Sequence, residues 1–170
     1  MESRTFEEFV AARGGALGRT AYLLTGDRQL AEDLVQTALG KAYASWSRVQ
    51  RADQPDAYVR RIMLNAYLAW WRRPRVREHL VDELPVVPSS DATASYAQAD
   101  QVREAIRTLP RRQRAVVVLR FYDDLPEAQI GELLGCAAST VRSQLSRALA
   151  TLRTSAALAD VAALSGKDAR

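Results

Sequence analysis

On both sides of one interruption, the apolar residues of this chain return every three or four positions. Nowhere do Val, Ile or Thr alternate for the length of a strand. A period near 3.6 without a period of 2 predicts an all-α chain. The interruption is LPVVPSSDATASYAQAD, Leu84 to Asp100, with two prolines, several Ser and Thr, and no periodicity. It reads as a flexible linker over 81–100. The 170 residues therefore divide into a small helical domain near 1–80 and a second at 101–155. The Ala-rich tail, 156–170, is expected to fray.

Three helices can be placed in the first unit. One runs from Thr5 to Thr25 and stops before Gly26-Asp27. The next runs from Arg28 to Trp46. On it Leu30, Ala31, Leu34, Val35, Ala38, Leu39, Ala42 and Trp46 fill more than half the circumference. Asp33, Gln36, Thr37 and Gly40, at i, i+3, i+4 and i+7, leave one narrow polar seam. Ordinary solvation or a docking seam for a partner protein would both produce it. The third helix runs from Pro55, suited to a first turn, to Arg73, where Pro74 stops it. Val59, Ile62, Met63, Ala66 and Trp70 are its expected core face. Arg61, Asn65, Leu68 and Arg72 lie opposite, with Leu64 and Trp71 beside them. Cations interleaved with aromatic and apolar groups suit single-stranded nucleic acid, whose bases stack and whose backbone needs positive charge.

In the second unit Val102, Ala105, Ile106 and Leu109 mark one helix, ended by Pro110. RRQRAVVVLRFY, 111–122, marks a second with a basic start. PEAQIGELL (126–134), the turn GCAA (135–138) and STVRSQLSRALATLR (139–153) then form two short helices across a Gly-containing turn. That is the pattern of a helix-turn-helix. Val141, Leu145, Ala148, Leu149 and Leu152 form the buried stripe of the last helix. The outward face holds Ser143, Ser146, Arg147 and Ala150, flanked by Arg142 and Arg153, without an acid. Small polar groups plus Arg suit a major groove, where Arg can grip guanine edges.

Charge supports a polyanion partner. The total is only +4, from 24 basic and 20 acidic side chains, but it is segregated. Residues 60–78 carry six Arg against Glu78, and 103–120 carry six against Glu104. Such blocks are either solvated helix faces or the footprint of nucleic acid. Other classes fall away. No apolar run approaches the ~20 residues that span a bilayer, so no membrane insertion is expected. The single Cys136 and single His79 offer neither a disulfide framework, a zinc set nor a nucleophile–base pair. No Walker-type phosphate loop follows Gly14-Gly15. The expectation is a cytoplasmic, non-enzymatic protein without cofactor or metal.

Over roughly 15–153 these residues resemble the extracytoplasmic-function (ECF) type of RNA polymerase sigma factor, of the sigma-70 family. AEDLVQ at 31–36 is similar to the polymerase-docking helix. RRIMLNAYLAWWRR at 60–73 is similar to the −10 promoter segment, its Trp-Trp-Arg-Arg run to an actinobacterial branch. Residues 109–153 are similar to the whole of region 4. The resemblance implies a region 2 domain and a region 4 domain, and a promoter-specificity subunit that docks on core polymerase. It implies docking through Glu32, Asp33, Gln36, Thr37 and Gly40, with the clamp helices and flap of polymerase as partners. Arg61, Asn65, Leu68, Trp71, Arg72 and Arg73 would meet melted −10 DNA. Ser139, Thr140, Arg142, Ser143, Gln144, Ser146 and Arg147 would read −35 duplex, with Arg112 and Arg120 on phosphates. An anti-sigma factor is an implied partner class. Four positions depart from the family's habit: Thr37 and Ala69, where carboxylates are common, and Pro126 and Ala137, where Ser is common. Ser139 is the alternative cap for the last helix. The helix-turn-helix half alone fits a stand-alone repressor or activator equally well. The Arg61/Asn65/Arg72/Trp71 face favours the sigma reading.

Overall fold

The computed structural model describes residues 5–70 and 94–155. Every element among them is a helix: α1 Phe6–Thr25, α2 Arg28–Ala44, α3 Trp46–Gln50 and α4 Pro55–Trp70 in the first unit, then α5 Ala94–Arg107, α6 Arg111–Phe121, α7 Glu127–Leu134 and α8 Ala138–Thr154. The boundaries follow local chemistry. Thr5 caps α1 in a reciprocal box: the Glu8 amide donates to Thr5 Oγ1 (3.2 Å), and the Thr5 amide donates to Glu8 Oε2 (2.8 Å). Gly26 closes α1, its amide donating to the Tyr22 carbonyl. Asp27 then caps α2 by accepting from the Leu30 amide at 2.8 Å.

Two boundaries differ from expectation. The second helix ends at Ala44, and Trp46 opens the short α3 instead of closing α2. Helix α5 begins at Ala94, inside the stretch read as a linker. Its first residues lack an apolar stripe, so periodicity alone could not find them. Residues 81–93 of that stretch and the tail 156–170 lie outside the described residues.

The two units pack against each other. Helices α1, α2 and α4 form the first, and α6, α7 and α8 the second. Across the divide α1 meets α5 and α6, and α4 meets α6 and α7. One apolar cluster runs through both, from Phe9, Leu24, Leu34, Met63 and Tyr67 to Leu109, Val116, Leu119, Ile130 and Val141. Helix α4 therefore has neighbours on several sides, and a helix so placed buries more than one stripe. Leu64, expected beside the outward face, is fully buried. Leu68, expected on that face, is half-buried and packs against the core.

Candidate nucleic-acid interface

The helix-turn-helix is assembled by two glycines. Gly135 ends α7 with φ at 67°, a left-handed conformation that costs other residues ~1–2 kcal/mol. Gly131 lies under the turn: a Cβ there would sit 2.6 Å from the Cys136 carbonyl oxygen. These two positions let α7 and α8 approach closely. Val141, Ala148 and Leu152 are buried against the unit, and Leu145 and Leu149 half-buried. Ser139, Thr140, Arg142, Ser143, Ser146 and Arg147 all project to solvent, and Gln144 is half-buried at the edge. Six of the seven residues expected to read duplex DNA thus share an open surface.

The start of α8 is uncapped. Ala137 occupies the N-cap with φ −69° and ψ 151°, and no side chain accepts there. Ser139 falls inside the first turn, where it cannot cap. Pro126 likewise occupies the N-cap of α7 and caps nothing.

Tertiary structure also adds a charge that the α8 sequence lacks. Glu127, from α7, holds Arg142: its Oε2 accepts from Nε at 3.1 Å and pairs with Nη2 at 2.9 Å. The Arg147 guanidinium has no ion pair or hydrogen bond among the described residues. Of the two expected phosphate contacts, Arg112 donates Nη2 to the Leu134 carbonyl at 3.2 Å while remaining exposed. Arg120 lies 3.5 Å from Asp124. Both are already held by a neighbouring group.

On α2 the seam is open. Glu32, Asp33, Gln36 and Gly40 are exposed and Thr37 half-buried. Neighbours one turn away hold both carboxylates: Arg28 Nε donates to Glu32 Oε1 (3.2 Å), and Gln29 Nε2 donates to Asp33 Oδ1 (3.1 Å). The seam borders a groove lined on the α1 side by Gly15, Gly18, Arg19 and Tyr22. On α4, Arg61 and Asn65 are exposed and share one face. Trp71, Arg72 and Arg73, expected to continue it, lie outside the described residues.

The basic block at 103–120 is put to internal use. Arg103 pairs with Asp100 (2.7 Å) and Arg107 with Glu104 (3.1 Å). Arg114 is 7% exposed. Its Nη1 donates to the Leu24 carbonyl of α1 at 2.8 Å, and its Nη2 to the Arg107 and Leu109 carbonyls. One guanidinium thus fills orphan carbonyls at the C-terminal ends of two helices, where the dipoles favour a cation. Burial lowers its pKa from the ordinary arginine value. Burial also raises the pKa of Tyr67, against the opposing pull of Arg114 and then Arg111. The Tyr67 hydroxyl is buried without a hydrogen-bond partner.

Sequence reasoning missed Arg114, Tyr67, Thr20 and Asp123. One signal was present for Arg114. The unbroken AVVVL run beside it marks a helix buried nearly all round, so an adjacent charge must find partners inside.

Comparison with known proteins agrees with this architecture. Residues 9–77 match "Sigma-70 region 2", and residues 99–152 match "Sigma-70, region 4". The chain is 40% identical over 148 residues to the RNA polymerase sigma-E factor of Streptomyces coelicolor, covering 87% of this chain and 84% of that one. It is 31% identical to the ECF RNA polymerase sigma factor SigE of Mycolicibacterium smegmatis, covering 88% of this chain and 60% of the relative. Among solved structures, the fold is similar to the sigma factor RpoE of Bartonella quintana, solved in complex with the anti-sigma factor NepR. The TM-score there is 0.70 at 24% identity, covering 87% and 94% of the two chains. Two helical units, a glycine-built helix-turn-helix and these relatives together place the chain in the sigma-70 family of RNA polymerase sigma factors, as an ECF-type promoter-specificity factor.

Proposed function

We propose that promoter recognition is divided among three surfaces of this chain. The outward face of α8 reads the −35 element as duplex, with Arg142, Ser143, Ser146 and Arg147 at base edges. Ser139 and Thr140 sit on a phosphate at the helix start. The α4 face of Arg61 and Asn65, continued through Trp71, Arg72 and Arg73, takes the melted −10 strand. The α2 seam of Glu32, Asp33, Gln36, Thr37 and Gly40 docks on the clamp helices of core polymerase, and the second unit meets the flap. The carrying observation is the open α8 face on a helix-turn-helix.

Strand separation on this reading needs no nucleotide hydrolysis. Flipped −10 bases captured on the α4 face offset an unstacking cost of a few kcal/mol. The protein acts in the cytoplasm as a specificity subunit, with no reaction centre of its own. Similarity to sigma factors solved with NepR and CnrY supports an anti-sigma factor as a further partner.

The test is run-off transcription with purified core polymerase on fragmented genomic DNA, followed by Arg147→Ala and Arg112→Ala on a randomised −35 library. Arg147→Ala should cost ~1–3 kcal/mol and relax one base position. Arg112→Ala should weaken all sequences alike and lower the salt slope by about 1. Uniform loss in both variants would leave Arg147 a backbone anchor and the α8 face misassigned.

A further inference from the structure

Two exposed arginines on α8 differ in one respect. The Arg147 guanidinium has no ion pair or hydrogen bond among the described residues. Arg142 is held from outside its own helix, by Nε at 3.1 Å and Nη2 at 2.9 Å from Glu127 Oε2 on α7. The frame of the motif brings those residues together. Gly131 admits the turn backbone close to α7, and Gly135 turns the chain in a left-handed conformation. An acid at residue 127 also suits α7, whose first turn favours negative charge and has no side-chain cap.

The clasp draws Arg142 sideways. Successive helix residues turn by about 100°. Ser143, Ser146 and Arg147 therefore share a sector of about 100°, and Arg142 sits about 140° round the axis from Arg147. Its bond to Glu127 puts it on the flank nearest α7. To reach a base edge beneath the Ser143/Ser146/Arg147 face, its guanidinium has to swing away from Glu127.

That swing makes discrimination conditional. Over the right base, Arg142 exchanges Glu127 for the two acceptors of guanine. Over a wrong base it keeps the carboxylate as its partner. Whatever Glu127 contributes is therefore subtracted from the preference at that position, and at no other. A bidentate Arg–guanine contact discriminates by roughly five- to 150-fold. An exposed ion pair is worth up to roughly five-fold. Glu127 thus blunts the preference without erasing it, whereas Arg147 has no alternative partner and discriminates in full.

We propose that Glu127 is a specificity-determining residue of this chain. It acts through Arg142, giving that arginine a second partner over wrong bases and so lowering the stringency of one −35 position. The proposal rests on the assignment of the α8 face to −35 DNA made above. Glu127 is on this view a positioning residue and touches no base. A bare charge effect would look different, because a carboxylate near phosphates weakens binding to every sequence alike.

The experiment measures binding of holoenzyme, assembled from the full-length chain and core polymerase, to a library randomised across the −35 element. Wild type, Glu127→Gln, Arg142→Ala and their double variant are compared, with Arg147→Ala as the reference. Arg142→Ala identifies the position that Arg142 reads. There, Glu127→Gln should sharpen the preference by roughly two- to five-fold and leave the other positions as they are. In the Arg142→Ala background it should change no base preference. Should Glu127→Gln fold poorly, Glu127→Ala removes the same acceptor and should give the same sharpening. An equal gain on all sequences would reduce Glu127 to bulk charge and overturn the proposal. A weakened preference would overturn it too, because Glu127 would then be propping Arg142 against its base. So would sharpening that persists without Arg142, or an Arg142→Ala variant that alters no position. If Arg147→Ala also alters no position, the α8 assignment falls as well. Position-specific losses in both arginine variants, without sharpening in Glu127→Gln, would keep that assignment and remove only the proposal.

Discussion

Glu127 restrains Arg142, and releasing it should strengthen promoter binding while weakening the fold. Both contacts from Arg142, the Nε hydrogen bond at 3.1 Å and the Nη2 ion pair at 2.9 Å, end on one carboxylate oxygen, Oε2. The pair therefore lacks the parallel two-oxygen geometry that makes Arg–carboxylate contacts strong. The Arg142 side chain is 71% exposed and that of Glu127 is 28% exposed. An ion pair of that exposure is worth ~0.2–1 kcal/mol. To grip a base edge, Arg142 must leave it and strand a carboxylate near phosphates. Glu127→Gln should return about 0.5–1 kcal/mol to DNA binding, a roughly two- to five-fold gain. The same change removes an acid from the first turn of α7, which costs ~0.3–1 kcal/mol of helix stability. The melting temperature should fall by about 1–4 °C. Opposite signs in the two measurements separate this mechanism from a general loss of structure. The assay is holoenzyme binding to a −35-containing promoter fragment, in wild-type and Arg142→Ala backgrounds, with calorimetry alongside. The reasoning fails if Glu127→Gln binds no tighter, or if the gain is the same size when Arg142 is already absent.

Asp33→Arg should leave helicity and melting unchanged, since Asp33 is exposed, but should lose core polymerase in a pull-down, because reversed charge in an interface costs several kcal/mol; full-strength capture would move docking off α2. Ala137→Ser supplies the missing acceptor at an N-cap already in extended conformation, so calorimetry should show ~1 kcal/mol of added stability, about 2–4 °C. Tyr67→Phe removes a buried hydroxyl that has no hydrogen-bond partner and should be neutral or stabilising by up to ~1–3 kcal/mol in urea titration. The same variant tests pH dependence. A folded-state Tyr67 pKa raised above 10.0 means the unfolded chain releases its proton first. The contribution of Tyr67 is then intact below pH ~10 and lost as pH rises through the folded value. Tyr67→Phe should lack that part of the alkaline decline.

Much of this molecule was legible in its sequence, and for a definite reason. Helix placement depends on local periodicity, caps and breakers. Thr5, Asp27, Pro55, Pro110 and Gly135 punctuate the chain where the helices start or stop. The outward face of α8 was legible too, because one strongly apolar stripe leaves only one side to face water. What failed was the assumption of one buried side for α4. Leu64 and Leu68 were assigned to an exposed face, but α4 is packed between its own unit and the other. The basic block at 103–120 could be read from sequence either as a solvated face or as a nucleic-acid footprint, with no way to tell which of its arginines had partners inside the protein. Arg103 and Arg107 pair locally, and Arg114 caps two helix ends. Glu127 beside Arg142, and Asp123 between Thr20 and Arg60, join residues far apart in sequence. Periodicity reports which side of a helix avoids water, but not which distant element covers it or which charge that element brings. Local pattern was enough for the helical class, most helix ends, the solvent-facing side of α8 and the family. Tertiary packing alone decided which arginines remain available to DNA, because a cation's partners are set by distance in space.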